Sequence, residues 1–102
     1  MDVTLLYFDD CPNWKVTEEH LTRLAPEFPE VSVTHRLVET PEDAERVGFR
    51  GSPSVLVDGK DLFADPHAPV GLTCRLYETP DGPAGSPTLE QLREALTLLA
   101  HP

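Results

Sequence analysis

Tyr7-Phe8-Asp9-Asp10-Cys11-Pro12-Asn13-Trp14 joins a strand pattern to a helix pattern through a single cysteine. An apolar run, Val3 to Phe8, ends at two aspartates, and a cysteine, a proline and a segment of helical periodicity follow. The pattern places one thiol between the C-terminal end of a strand and the N-terminus of a helix. Backbone N–H groups are unpaired there and the helix dipole favours negative charge, so a thiolate is stabilised. Pro12 suits the first helical position, where its missing N–H costs nothing. The plainer reading of Cys11 is a small buried hydrophobe at a strand end.

Working outward, residues 2–8 are nearly all apolar, which predicts a first strand buried on both faces, as in the centre of an α/β sheet. A first helix is predicted over 12–25. Trp14, Thr17, Leu21, Leu24 and Phe28 fall at spacings of 3, 4, 3 and 4 on one of its faces, and Pro26 and Pro29 stop it. Val31, Val33, His35 and Leu37 alternate with Ser32, Thr34 and Arg36, a second and more exposed strand over 31–37. Thr40-Pro41-Glu42-Asp43 opens a short helix over 41–47, with Thr40 as N-cap and Gly48 as its C-terminal stop. Phe49-Arg50-Gly51-Ser52-Pro53 leads into a third strand over 54–57, and Asp58-Gly59 turns it back into a fourth over 60–63. A two-residue turn makes that pair antiparallel.

The pattern breaks down over residues 65–87, where prolines and glycines cluster, except for Leu72-Thr73-Cys74-Arg75-Leu76-Tyr77, an island that reads as a further strand or an ordered loop. The last helix starts near Ser86-Pro87-Thr88 and carries Leu89, Leu92, Leu96 and Leu99 as an apolar stripe, with Ala95 beside them. The expected order is β-α-β-α-β-β, an irregular insert, then α. This is one α/β domain over 1–102, with a mixed four-stranded sheet and helices on both faces.

No apolar run approaches the ~20 residues that span a bilayer, and Asp2 directly after Met1 predicts no export signal. Eighteen Asp and Glu against eight Lys and Arg give a net charge of −10, which repels nucleic acid and anionic membrane surfaces. Two cysteines are too few for a disulfide scaffold. The expectation is a cytoplasmic chain with reduced thiols.

Three local features together resemble the thioredoxin-like superfamily, and the compact form is similar to the glutaredoxins. A cysteine followed by proline comes after the first strand, in Phe8-Asp9-Asp10-Cys11-Pro12; Gly51-Ser52-Pro53 precedes the third strand; Val57-Asp58-Gly59-Lys60 makes the hairpin before a C-terminal helix. The resemblance covers roughly residues 2–64 and 86–100. It implies a small thiol–disulfide oxidoreductase with Cys11 as nucleophile. It also implies a cis peptide bond at Pro53, facing Cys11. Ser52 and Pro53 would be the platform on which an extended peptide or a glutathione-like ligand pairs. Pro12, Asn13, Trp14 and Arg75 complete the expected substrate-binding set.

The departure is at Trp14, where a dithiol member of that family carries its second cysteine. Cys-Pro-Asn-Trp therefore leaves two routes: an external low-molecular-weight thiol such as glutathione or mycothiol, or resolution by Cys74, the one other cysteine. In the resembled fold the insert joins the sheet near its cysteine end, which implies that it covers Cys11. The partners expected are a disulfide-containing protein or a low-molecular-weight thiol, with no bound cofactor.

Activation of Cys11 is left open by the charges. A helix N-terminus contributes about 0.3–1 kcal/mol, up to ~2 when partly buried. Asp9 and Asp10, at about 6–7 Å, oppose it by roughly 0.6–2.5 kcal/mol. Trp14 is expected to be mainly a packing residue. His20, His35 and His101 show no ligand spacing, whereas His67 with Cys11 and Cys74 would offer three N/S ligands to zinc or a thiophilic metal. The alternatives to an oxidoreductase are a non-enzymatic protein- or metal-binding module and a redox sensor.

Overall fold

The computed structural model describes residues 1–63 and 69–100. Its elements are β1 (Asp2–Tyr7), α1 (Trp14–Leu24), β2 (Ser32–Leu37), α2 (Pro41–Val47), β3 (Ser54–Val57), β4 (Lys60–Asp61), β5 (Tyr77–Thr79), β6 (Gly82–Ala84) and α3 (Leu89–Ala100). The main sheet has the order β2-β1-β3-β4. β1 runs parallel to β2 and antiparallel to β3, and β3 runs antiparallel to β4. The chain is thus α/β with a four-stranded mixed sheet and three helices, and none of its described helices is long and apolar enough to cross a membrane.

β1 is central because it can be buried on both faces. Val3 and Leu5 join Val55 and Val57 of β3, Leu21 and Leu24 of α1, and Leu92 and Leu96 of α3 in one apolar layer. Leu6 points the other way, to Val38, Ala44 of α2 and Phe49. Full burial of each large aliphatic side chain contributes about 1.5–3 kcal/mol, so the strand that ends just before Cys11 is held from both sides.

Local chemistry accounts for the other elements. Thr40 Oγ1 accepts from the Asp43 N–H at 3.0 Å, and Gly48, at φ 67°, closes α2 with its N–H on the carbonyls of Ala44 and Glu45. Asp58 and Gly59 both have positive φ, as a tight β3–β4 turn requires. Thr88 and Gln91 cap α3 reciprocally at 2.9 and 3.0 Å.

Several boundaries differ from expectation, most of them by one or two residues. β1 ends at Tyr7. α1 begins at Trp14, not Pro12: the Cys11 N–H donates to the Phe8 carbonyl at 3.0 Å and the Lys15 N–H to the Pro12 carbonyl at 3.1 Å, so a turn is made before the helix. Proline's fixed φ suits either position. β4 stops at Asp61, whose carboxylate accepts from the Phe63 N–H at 2.9 Å and turns the chain out of the sheet. Of the two readings of residues 72–77, a strand or an ordered loop, the second holds as far as Leu76, and Tyr77 opens β5. Cys74 makes one isolated bridge, and the hairpin β5–β6 follows, folded around Gly82 at φ 102°.

Candidate active site

The two cysteines, for which a cytoplasmic chain predicts free thiols, form a disulfide across 63 residues with a Cα–Cα distance of 5.7 Å. Cys11 is held in the turn between β1 and α1 and is 2% exposed. Cys74 sits on a strap, residues 69–76, and is exposed.

Ser52 joins strap and sheet. Its N–H donates to the Thr73 carbonyl at 2.7 Å and its carbonyl accepts from the Arg75 N–H at 2.9 Å. Its Oγ accepts from the Phe8 N–H at 3.0 Å, at the end of β1. The Ser52–Pro53 bond is cis. The main-chain groups expected to pair with a ligand therefore pair with the chain's own strap, on either side of Cys74.

Further along the strap, Arg75 turns its side chain inward. Its guanidinium donates to Ser54 Oγ at 3.2 Å, to Asp61 Oδ2 at 2.6 Å and to the Phe63 carbonyl. It also lies 4.7 Å from the centre of the Tyr77 ring. The Tyr77 hydroxyl donates to the Pro53 carbonyl at 2.5 Å. Burial, the largest influence, holds that hydroxyl protonated far above the usual phenol range; the Arg75 charge opposes the shift and the Asp61 charge adds to it. Its folded-state ionisation lies above the unfolded one. The associated stability is therefore full below ~10 and is lost as pH rises beyond it. A Tyr77→Phe substitution leaves the buried Pro53 carbonyl without its donor. We expect it to cost about 1–3 kcal/mol in urea denaturation and to remove this alkaline sensitivity.

The sequence-predicted set is thus partly assembled. Cys11 and Cys74 are bonded, Ser52 bridges to Cys74, and Pro53 follows Ser52 across the cis bond. Arg75 joins them through its backbone, while its charge is engaged with Asp61, away from the sulfurs. Trp14 stacks on Tyr7 with ring centres 4.3 Å apart and packs against the core, in line with its packing role. Pro12 and Asn13 are exposed, and Asn13 contacts Gly85, where an added Cβ would fall 2.2 Å from Asn13 Nδ2. The candidate metal set with His67 lies outside the described residues. Among those described, no group of three His, Cys, Asp or Glu is placed to hold a metal ion.

Sequence reasoning missed Ser54, Asp61 and Tyr77 as supports of the strap, because their partners are remote in the chain. Gly51 was visible only as part of Gly-Ser-Pro. It has φ +111°, and an added Cβ would lie 2.9 Å from Arg75 Cβ and 3.1 Å from Thr73 Oγ1. Gly51→Ala should therefore push the strap off Ser52 and destabilise the fold by about 1–3 kcal/mol, measurable by denaturation, with faster reduction of the disulfide.

Beside the strap lies a cleft of about 750 Å³ lined by Cys74, Thr73, Tyr77, Phe63, Leu62 and Arg50 among others. Cys11 does not line it. No family model, curated protein or solved structure matches the chain.

Proposed function

We propose that the chain is a thioredoxin-like thiol–disulfide oxidoreductase that cycles between the Cys11–Cys74 disulfide and the dithiol. The observation that carries this reading is the disulfide itself, which joins a cysteine at a strand–helix junction to one on an exposed strap. The strap has hydrogen bonds of its own to Ser52, Ser54 and Asp61, and Tyr77 directly after it bonds to Pro53, so the two sulfurs stay adjacent when the bond is open. In one cycle the dithiol transfers two electrons and two protons to a substrate disulfide. One S–S bond is broken and one formed, and two substrate thiols leave. An external dithiol or a low-molecular-weight thiol restores the starting state. Cys74 supplies the second thiol of the pair, which the resembled family carries at the position of Trp14.

A second reading, a structural staple, is favoured by the burial of Cys11. Turnover separates the two. With insulin or hydroxyethyl disulfide as substrate and glutathione with its reductase as electron source, the wild type should turn over and Cys74→Ser and Cys11→Ser should lose most of that rate. Equal rates in all three proteins would leave only the staple.

A further inference from the structure

The expectation from resemblance is that Cys11 attacks and Cys74 resolves. We infer the opposite assignment: Cys74 is the sulfur that exchanges with substrate, and Cys11 is the resolving thiol. The inference rests on the oxidoreductase reading above.

Thiolate attack on a disulfide is in line with the S–S bond, so the incoming sulfur approaches from behind the atom attacked. Cys74 is open to such an approach: it is exposed and lines the cleft, and Val70 and Leu76 on the same strap are 39% and 73% exposed. Cys11 is enclosed: it is 2% exposed, in the turn between β1 and α1. Access therefore differs between the two cysteines, and access decides which of them an external thiol reaches. A leaving thiolate at Cys11 needs no external access. It needs only to lie next to Cys74, and the strap's own hydrogen bonds keep it there.

The steps balance as follows. In the reduced protein the Cys74 thiolate attacks a substrate disulfide R–S–S–R′, forming Cys74–S–S–R and releasing R′S⁻. The Cys11 thiolate then attacks the Cys74 sulfur, forming the Cys11–Cys74 bond and releasing RS⁻. In reverse, an external thiolate attacks the Cys74 sulfur and expels the Cys11 thiolate.

Glutathione is the probe. Folded wild-type protein is exposed to a limiting amount of glutathione, quenched with acid, alkylated and mapped by peptide mass spectrometry. Glutathione should be found on the Cys74 peptide and the alkyl group on Cys11, with an excess on the order of tenfold or more over the reverse labelling. In parallel, folded Cys11→Ser should accumulate a stable Cys74–glutathione disulfide with glutathione disulfide, and Cys74→Ser should react far more slowly. Label mainly on Cys11 in the wild type overturns the assignment and leaves the oxidoreductase reading standing. Label on neither cysteine of the folded protein overturns both.

Discussion

Reducing the Cys11–Cys74 bond should lower the free energy of unfolding by roughly 4 kcal/mol. The bond closes a 63-residue loop, and the chain-entropy account of such a loop gives about that value. Domains of this size are stable by only about 5–15 kcal/mol in total, so the loss is a large fraction. It corresponds to a fall in Tm of about 15–30 °C. The folded state itself changes little, because Ser52 still pairs with Thr73 and Arg75, and Asp61 still holds the Arg75 guanidinium. The effect therefore lies mainly in the unfolded chain. Urea denaturation with and without reductant measures it, with Cys11→Ala/Cys74→Ala as the check that reductant acts only on this bond. A loss below about 1 kcal/mol would contradict the entropic account.

Asp61→Asn should cost about 3 kcal/mol. The Arg75 side chain is 6% exposed and that of Asp61 is 16% exposed. Removing the carboxylate's charge leaves a buried guanidinium whose partners among the described residues are neutral: Ser54 Oγ, the Phe63 carbonyl and the Tyr77 ring. Unpairing one member of a buried pair is far more costly than replacing both. Arg75→Met in the same chain should therefore restore much of the loss, giving a coupling energy well above the few tenths expected of independent sites. Since Arg75 follows Cys74 directly, Asp61→Asn should also loosen the strap and quicken thiol exchange in the folded protein. Additive losses in the double variant would mean that the pair does not act as a unit.

Much of the sheet could be read from local patterns. The apolar run of β1, the Thr40 and Gly48 ends of α2, the Asp58-Gly59 turn and the leucine stripe of α3 each depend on neighbours a few residues away, and each stands where its pattern placed it. The start of α1 was displaced because Pro12 fits a turn and a helix equally well. The hairpin β5–β6 escaped notice because Pro83 and Gly82 read as loop, although Gly82 supplies the positive φ of its turn.

The candidate site was legible in its residues and not in its geometry. Cys11, Ser52, Pro53 and Cys74 were singled out, yet the isolated bridge between Ser52 and Cys74 has no local signature. Nor does the inward course of the Arg75 side chain: an arginine beside a cysteine suggests a charge for the thiolate, while the structure gives that charge to Asp61. The relative exposure of the two cysteines is likewise a property of tertiary packing alone.

The central claim is that the Cys11–Cys74 bond opens and closes in the folded protein. A redox titration tests it most directly: native protein is equilibrated across glutathione/glutathione-disulfide ratios, quenched, alkylated and weighed. One reversible two-electron transition is expected, in which both cysteines change together, with circular dichroism showing the fold intact throughout. A disulfide that stays closed at every ratio until denaturant unfolds the chain would contradict it.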